Sequence, residues 1–270
     1  MLTGLWGRPF VDLTPYLDLS ALPLLDAEIT HALTQVRTTY TGGSHRFMGI
    51  VPPSLLGEPY ADYGEVIANM TRDQFATFVS LSDEDFDFDL DDRAEYEFGE
   101  ERDHPLSQRQ MRWLEYRFGV YFPWKVFYQL MPSERWEDKA DPAKTFTREA
   151  RAMFPRTVGF VRGLPFERIG RCNILGLHAN DHGTVHRDGD PEAQTAYDQF
   201  VTFCPGRAKR LFLWDEDERA STYVSPRAYW FNDHDYHGVS KDPYFRYSIR
   251  VDGVFRADFL ERLERDLRCT

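Results

Sequence analysis

The chain has 270 residues and a net charge of −12, and 42% of its residues are hydrophobic and 15% aromatic. This apolar content can build a sizeable core, which excludes wholesale disorder, and the length suits one large domain or two small ones. The excess of acids argues against binding to nucleic-acid phosphates or anionic membranes, and the sequence has no run of about 18 apolar residues for a membrane span. We therefore expect no nucleic-acid partner and no membrane partner.

The cysteines indicate a reducing environment. Cys172, Cys204 and Cys269 are too few and too widely spaced for a disulfide framework, and no CxxC pair suggests a zinc knuckle. Prolines and acids interrupt the first 25 residues, so we expect no secretory signal there. Together these features favour a cytoplasmic protein.

The first 155 residues are predicted to be mainly helical. Asp26 is a predicted helix N-cap, and residues 71–74 form a capping-box pattern ahead of a second helix. A third helix is predicted from apolar residues at helical spacing, namely Met111, Leu114 and Phe118. A fourth is predicted to begin at Asp141 and to end at Pro155.

Residues 83–103 are dense in acids and contain few bases. Blocks of like charge are usually solvated, which favours a surface loop. Aromatic side chains interleave with the acids, so an edge strand or a lid is the alternative.

The second half of the chain is predicted to be rich in strands. Its short apolar runs are separated by Gly, Pro, Asp or Asn, and they cover residues 157–161, 172–178, 199–204, 210–214, 222–224, 228–231 and 245–255. Regular turn signals at this spacing favour a sandwich or barrel, and the absence of alternating βα units argues against a doubly wound parallel sheet.

We predict one domain over residues 1–270. In this interpretation residues 1–156 supply helical support and lid segments, and residues 157–256 form a β core. Residues 257–270 form a C-terminal helix, since leucines recur there at helical spacing.

One pattern in the β region points to a metal site. His186 and Asp188 are separated by one residue, so both side chains point to the same side of an extended chain. His237 follows a later strand, and two histidines with one carboxylate form the facial triad of non-haem Fe(II) oxygenases. His234 is the rival for the distal histidine and Asp190 the rival for the carboxylate, but the spacing favours His186, Asp188 and His237.

The strand after the distal histidine offers a site for an anion. Period-two alternation places Arg246, Ser248 and Arg250 on one face and apolar residues on the other. A guanidinium with a neighbouring hydroxyl suits a carboxylate, and Arg250 is the competitor of Arg246 for this role.

Over about residues 157–256 the chain resembles the Fe(II)/2-oxoglutarate-dependent dioxygenase superfamily. The residues that carry the resemblance are His186, Asp188, His237, Arg246 and Ser248. The resemblance implies a mainly β fold, a double-stranded β-helix (a cupin-like jelly-roll) flanked by α-helices. It also implies that the first three residues bind Fe(II) and that the last two bind the C5 carboxylate of 2-oxoglutarate.

The function that this resemblance implies is hydroxylation of an unactivated C–H bond by dioxygen, with desaturation or cyclisation as other outcomes. A small metabolite such as an amino acid is the expected substrate, and Asp190, Asp233 and Asp235 near the site would suit a cationic one. Two alternatives stay open. One is a peptide or protein hydroxylase of the same superfamily, and the other is a non-catalytic cupin-like protein that binds a metal or a small ligand. The sequence makes no prediction of oligomeric state.

Overall fold

The computed structural model describes residues 2–40, 49–57, 61–99, 102–132 and 144–268. Ten strands lie in this part of the chain: β1 (Phe10–Asp12), β2 (Val126–Met131), β3 (Phe166–Leu177), β4 (Gly183–His186), β5 (Phe200–Phe203), β6 (Leu211–Asp215), β7 (Ala220–Tyr223), β8 (Ala228–Phe231), β9 (His237–Val239) and β10 (Arg246–Phe255). Its seven α-helices are α1 (Leu22–Ala32), α2 (Tyr63–Ala68), α3 (Arg72–Val79), α4 (Gln108–Phe118), α5 (Arg148–Met153), α6 (Pro155–Arg162) and α7 (Ala257–Arg268).

The strands form two antiparallel sheets. The larger sheet has the order β1-β8-β5-β10-β3-β2, and the smaller has the order β4-β9-β6-β7. From β3 onward the chain passes between the sheets, so that β3, β5, β8 and β10 lie in one and β4, β6, β7 and β9 in the other. The expectation of a mainly β fold with helices is confirmed at this level. The described part of the first half is less helical than predicted, because α1 to α5 are short and β1 and β2 also lie there.

Buried apolar side chains form two clusters among the described residues. The larger joins both sheets to helices of the first half, with Leu5, Ile29 and Ile249 all fully buried in it. The smaller is built from residues between 63 and 122 and includes Phe75. Among the helices in the described ranges, none has the length and hydropathy needed to cross a bilayer.

Strand β10 separates polar from apolar side chains as the alternation predicts. Tyr247, Ile249 and Val251 are buried in the larger apolar cluster. On the other face, Arg250 reaches Asp188, which follows β4 of the smaller sheet. The polar row of β10 therefore faces the space between the sheets.

The predicted N-cap at Asp26 is wrong. Helix α1 begins at Leu22 with Ala21 as its N-cap, because Pro23 is favoured in the first turn and cannot lie in the interior. Asp26 lies inside the helix, and its carboxylate accepts a hydrogen bond from the Tyr247 hydroxyl at 2.6 Å.

The strand expected at residues 157–161 is also wrong, because these residues belong to α6. The predicted helix end at Pro155 is confirmed, since α5 ends at Met153 with Phe154 as its C-cap. Pro155 also begins α6, because its fixed φ and missing N–H suit a first-turn position. Glu28 caps the new helix by accepting the backbone N–H groups of Arg156 and Thr157. A five-residue apolar run is too short for periodicity to distinguish helix from strand.

Other local predictions are confirmed. Thr71 and Gln74 form a reciprocal capping box at the start of α3. Met111 and Leu114 are the buried face of α4. The helix start predicted at Asp141 lies outside the described residues, as does Cys269.

The acidic segment packs through its aromatic residues. Phe88 and Phe98 are buried in the smaller apolar cluster and contact Phe75 of α3 edge-on. The described part of the segment forms no strand apart from an isolated bridge between Phe98 and His104. Most of its acids stay exposed, as a surface loop requires.

Candidate metal centre

Three side chains from neighbouring strands of the smaller sheet converge on one point. His186 is the last residue of β4 and His237 the first of β9, and the antiparallel pairing places them directly opposite each other. Asp188 follows β4, and its Oδ1 lies 3.4 Å from His186 Nε2 and 3.8 Å from His237 Nε2. One ligand atom from each residue lies within 4.8 Å of the other two, so the three can hold a single ion.

Backbone carbonyls orient both imidazoles. His186 Nδ1 donates to the carbonyl of Thr184 at 2.8 Å, and His237 Nδ1 donates to the carbonyl of Asp235 at 2.9 Å. In the neutral ring this arrangement leaves the proton on Nδ1 and turns the Nε2 lone pair toward Asp188. A hydrogen bond from the second ring nitrogen is the usual support of a metal-bound histidine.

The protonation states also suit a cation. Burial and the neighbouring His186 lower the pKa of His237 to about 3, so its ring is neutral at physiological pH. Burial opposes ionisation of Asp188, but the neighbouring histidines and the positive charge of Arg250 outweigh it and hold the pKa of the carboxyl below its usual range. Neutral imidazoles and an ionised carboxylate are the forms that bind metals. Two such nitrogens with one carboxylate oxygen fit an octahedral Fe(II) with three open positions.

Arg250 pairs with the Asp188 carboxylate oxygen that does not face the histidines. Its guanidinium lies 3.3 Å from Asp188 Oδ2, 2.5 Å from Asp233 Oδ2 and 2.9 Å from Asp252 Oδ1. The guanidinium carbon of Arg250 lies 3.9 Å from the centroid of the Phe200 ring. Burial alone would lower the pKa of Arg250, but the three neighbouring carboxylates have the larger effect and raise it. Asp188 therefore keeps Oδ2 on the arginine and presents Oδ1 to the histidines.

The alternative ligands His234 and Asp190 lie outside the cluster of His186, Asp188 and His237. The Nδ1 of His234 donates to the carbonyl of Asp190, whose carboxylate caps a short turn and lies 3.6 Å from Arg187. His234 belongs to a second group of possible ligands with Asp198 and Asp233. Burial raises the pKa of Asp233 to about 7 despite its pairing with arginine.

Arg246 is held largely by the backbone. Its guanidinium donates to the carbonyls of Asp181 at 2.9 Å, Ser240 at 2.5 Å and Lys209 at 3.2 Å, with a longer contact to Tyr244 at 3.5 Å. Since a guanidinium has five N–H donors, these contacts leave about one for a ligand.

Lys209 is the residue that sequence reasoning missed. It precedes β6, is 5% exposed, and donates through Nζ to Ser248 Oγ at 2.7 Å. Burial is the main cause that lowers the pKa of its amine to about 7. Strand alternation gives no signal for it, because Arg210, between Lys209 and β6, has a φ of +62° and interrupts the extended backbone.

Comparisons with known structures give likenesses at low similarity. The chain is similar to an oxidoreductase of the 2OG-Fe(II) oxygenase family from Burkholderia pseudomallei, with 17% identity and a TM-score of 0.30 over 48% of this chain and 70% of that one. It is similar to a prolyl-4-hydroxylase from Pseudomonas putida, with 14% identity and a TM-score of 0.24 over 40% of this chain and 64% of that one. It is also similar to AviO1 from Streptomyces viridochromogenes, with 12% identity and a TM-score of 0.29 over 84% of this chain and 95% of that one.

No protein-family model matches the sequence, and no curated protein matches it. Structural alignments with TM-scores this low do not establish a function, so the case for one depends on the residues of the chain itself.

Proposed function

We propose that this chain is a non-haem Fe(II)/2-oxoglutarate-dependent oxygenase that hydroxylates a C–H bond of a small metabolite. The observation that carries the proposal is the buried cluster of His186, Asp188 and His237, in which backbone carbonyls turn both Nε2 atoms toward one carboxylate oxygen. This donor set is that of the facial triad. The motif resemblance of the same residues supports the same assignment.

The proposal includes the fold that the resemblance implies. Eight successive strands, β3 to β10, divide four and four between two antiparallel sheets. This division supports a double-stranded β-helix, because a jelly-roll consists of eight strands in two facing sheets. The first-half strands β1 and β2 then extend the larger sheet at its two edges.

The cosubstrate anchor combines three residues. Arg246 and Ser248 supply hydrogen-bond donors for the distal carboxylate of 2-oxoglutarate, and Lys209 adds a charge beside the Ser248 hydroxyl. The three lie near the ends of β6 and β10, on the polar face between the sheets. Lys209 is included because Arg246 gives most of its donors to backbone carbonyls.

Fe(II) bound in such a site supplies oxidation by dioxygen, while 2-oxoglutarate is oxidised as the cosubstrate. The protein has the task of holding the ligands and excluding competing reactions. Because Arg250 pairs with Asp188 Oδ2, Asp188 would offer the ion its other oxygen, Oδ1. The buried surroundings of the histidines limit the access of bulk water, since each is 6% exposed.

The acids that could attract a cationic substrate form ion pairs or hydrogen bonds with other residues of the protein. Asp233 pairs with Arg250, Asp190 lies beside Arg187, and Asp235 accepts hydrogen bonds from Thr3 and Gly4. Because these carboxylates contact groups of the protein itself, the proposal names a small metabolite, including amino acids, and a cationic amino acid remains the candidate to test first.

The direct test is anaerobic addition of Fe(II) and 2-oxoglutarate. The wild-type protein is expected to develop a weak visible charge-transfer band, and on admission of air it is expected to form succinate. His186→Ala and Arg246→Ala should each lose the band, whereas Arg210→Ala, which removes a half-exposed arginine, should keep it. Metal binding without the band would instead identify a cupin-like binding protein.

A further inference from the structure

Backbone carbonyls of the loop between β8 and β9 accept hydrogen bonds from Asp188 and His237, two of the three proposed metal ligands. The carbonyl of Asp233 accepts the backbone N–H of Asp188 at 2.8 Å. The carbonyl of Asp235, two residues along, accepts Nδ1–H of His237 at 2.9 Å. We call residues 232–235 the ligand loop. Its position determines where the two ligands lie relative to each other.

The ligand loop is fastened by the start of the chain. The Asp235 carboxylate accepts the backbone N–H of Thr3 at 2.8 Å and that of Gly4 at 2.7 Å, and it also accepts the Thr3 hydroxyl. At the other end of the loop, Asn232 Nδ2 donates to Thr3 Oγ1 at 2.9 Å. Asp235 is only 4% exposed, so its charge depends on these donors in place of water.

Residues 2–4, which we call the strap, are themselves fixed in place. Gly4 has a φ of +61°, and a Cβ at this position would lie 2.1 Å from the Arg8 carbonyl oxygen. Leu5 and Arg8 exchange two backbone hydrogen bonds, and Leu5 is fully buried. Trp6 packs edge-on against Trp230 of β8 at 5.4 Å. The strap therefore cannot follow the ligand loop freely if their contacts are lost.

We propose that Asp235 is a positioning residue through which the strap sets the geometry of the distal metal ligand. This inference rests on the proposed metal centre, and it concerns residues that lie more than 180 positions before the ligands in sequence. Arg250 and Gln194 still hold Asp233 and Asn232 when the strap contacts are lost, so the loss acts at Asp235. It displaces the Asp235 carbonyl that orients His237 and changes the direction of the His237 Nε2 atom. Mutations of such outer partners of a metal ligand typically cost 10–100-fold in metal affinity.

The test compares Asp235→Asn and Thr3→Val with a matched control. Asp235→Asn turns an amide N–H₂ toward one of the strap's donors, and Thr3→Val removes the hydroxyl at nearly constant shape. Glu28 provides the control because it also accepts two backbone N–H groups and a threonine hydroxyl, but at the start of α6. Each full-length variant is titrated with Co(II), with the visible Co(II) spectrum and the thermal midpoint of the metal-free protein recorded.

We expect the Co(II) affinity to fall roughly 10–100-fold in Asp235→Asn and several-fold in Thr3→Val, with a changed Co(II) spectrum in both. Thr3→Ser, which keeps the hydroxyl, should restore the wild-type affinity. Glu28→Gln should lower the thermal midpoint while its affinity stays within twofold of wild type. If Asp235→Asn does not fold, Thr3→Val alone decides.

Two results would overturn the inference while leaving the proposed function intact. One is an unchanged affinity and spectrum in the strap variants, and the other is an equal loss of affinity in Glu28→Gln, since that would trace the effect to general stability. A wild-type chain that does not bind Co(II) would instead overturn the metal centre and the proposed function with it.

Discussion

The amine of Lys209 lies 2.7 Å from the hydroxyl oxygen of Ser248, buried between the two sheets. The ring of Trp124 packs against the amine at 4.1 Å, and in the described ranges no carboxylate lies in ion-pair contact with it. Desolvation lowers the pKa of this lysine to about 7. A buried amine without a counter-charge is a natural partner for an anion, and an anion bound there would restore the charged form.

The first prediction concerns pH and 2-oxoglutarate. Because a bound carboxylate raises the pKa of Lys209 above 7, binding takes up a proton at pH 8 and takes up none well below pH 7. The affinity should therefore be constant at low pH and fall by up to about tenfold per pH unit above pH 7. Calorimetry in two buffers of different ionisation enthalpy measures this proton uptake.

The control for this pH dependence is Lys209→Arg. A guanidinium stays charged throughout the range, so the slope above pH 7 should disappear even if the affinity changes. An unchanged slope in that variant would show that another group titrates.

The second prediction separates the arginines of β10. Arg246→Lys keeps the charge but loses the guanidinium that the backbone carbonyls hold in place with one N–H left for the ligand, so it should weaken 2-oxoglutarate binding by about 1.5–3 kcal/mol, the range for a hydrogen bond to a charged group. Ser248→Ala should cost less, because it removes one hydroxyl. The measurement is the half-saturating 2-oxoglutarate concentration in an assay of succinate formation.

Arg250→Lys provides the comparison, since Arg250 lies on the same face but pairs with Asp188, Asp233 and Asp252. A large loss in Arg250→Lys alone would move the anchor to that residue. No loss in either variant would argue against 2-oxoglutarate as the cosubstrate.

The parts of the site that sequence reasoning found are those with a short local pattern. His186 and Asp188 share a face because they are two residues apart, and the alternation along β10 identifies the polar row. Contacts between residues that are far apart in the sequence could not be predicted from such local patterns. The pairing of Arg250 with Asp233 joins β10 to the loop between β8 and β9, and the contact of Thr3 with Asp235 spans 232 positions.

Lys209 and Pro155 illustrate two other limits. A lysine before a strand is normally exposed to solvent. The burial of Lys209 results from the packing of the two sheets around it, which the local sequence does not reveal. Pro155 follows the end of one helix and begins the next, and only the first of these roles was predicted because a proline is compatible with both.

The third prediction concerns stability. Arg250→Met removes the arginine partner of Asp188 and Asp233, which are buried or nearly so, while Asp252 keeps its pairing with Arg171; this should destabilise the fold by about 3–5 kcal/mol. Arg256→Met removes an exposed ion pair with Asp258 and should cost less than about 1 kcal/mol. Urea unfolding followed by circular dichroism measures both. Equal effects in the two variants would contradict a structural role for the buried arginine.

The last prediction decides which histidine is the distal ligand. His237→Ala should abolish detectable Co(II) binding at stoichiometric protein, because its Nε2 faces Asp188, whereas His234→Ala should bind as wild type. His186→Ala should lose binding but keep the fold, since Asp188 retains its pairing with Arg250 and no buried charge is left alone. Circular dichroism and the thermal midpoint of each metal-free variant check this second part. Retained binding in His237→Ala with loss in His234→Ala would place the ion in the group of Asp198, Asp233 and His234 instead.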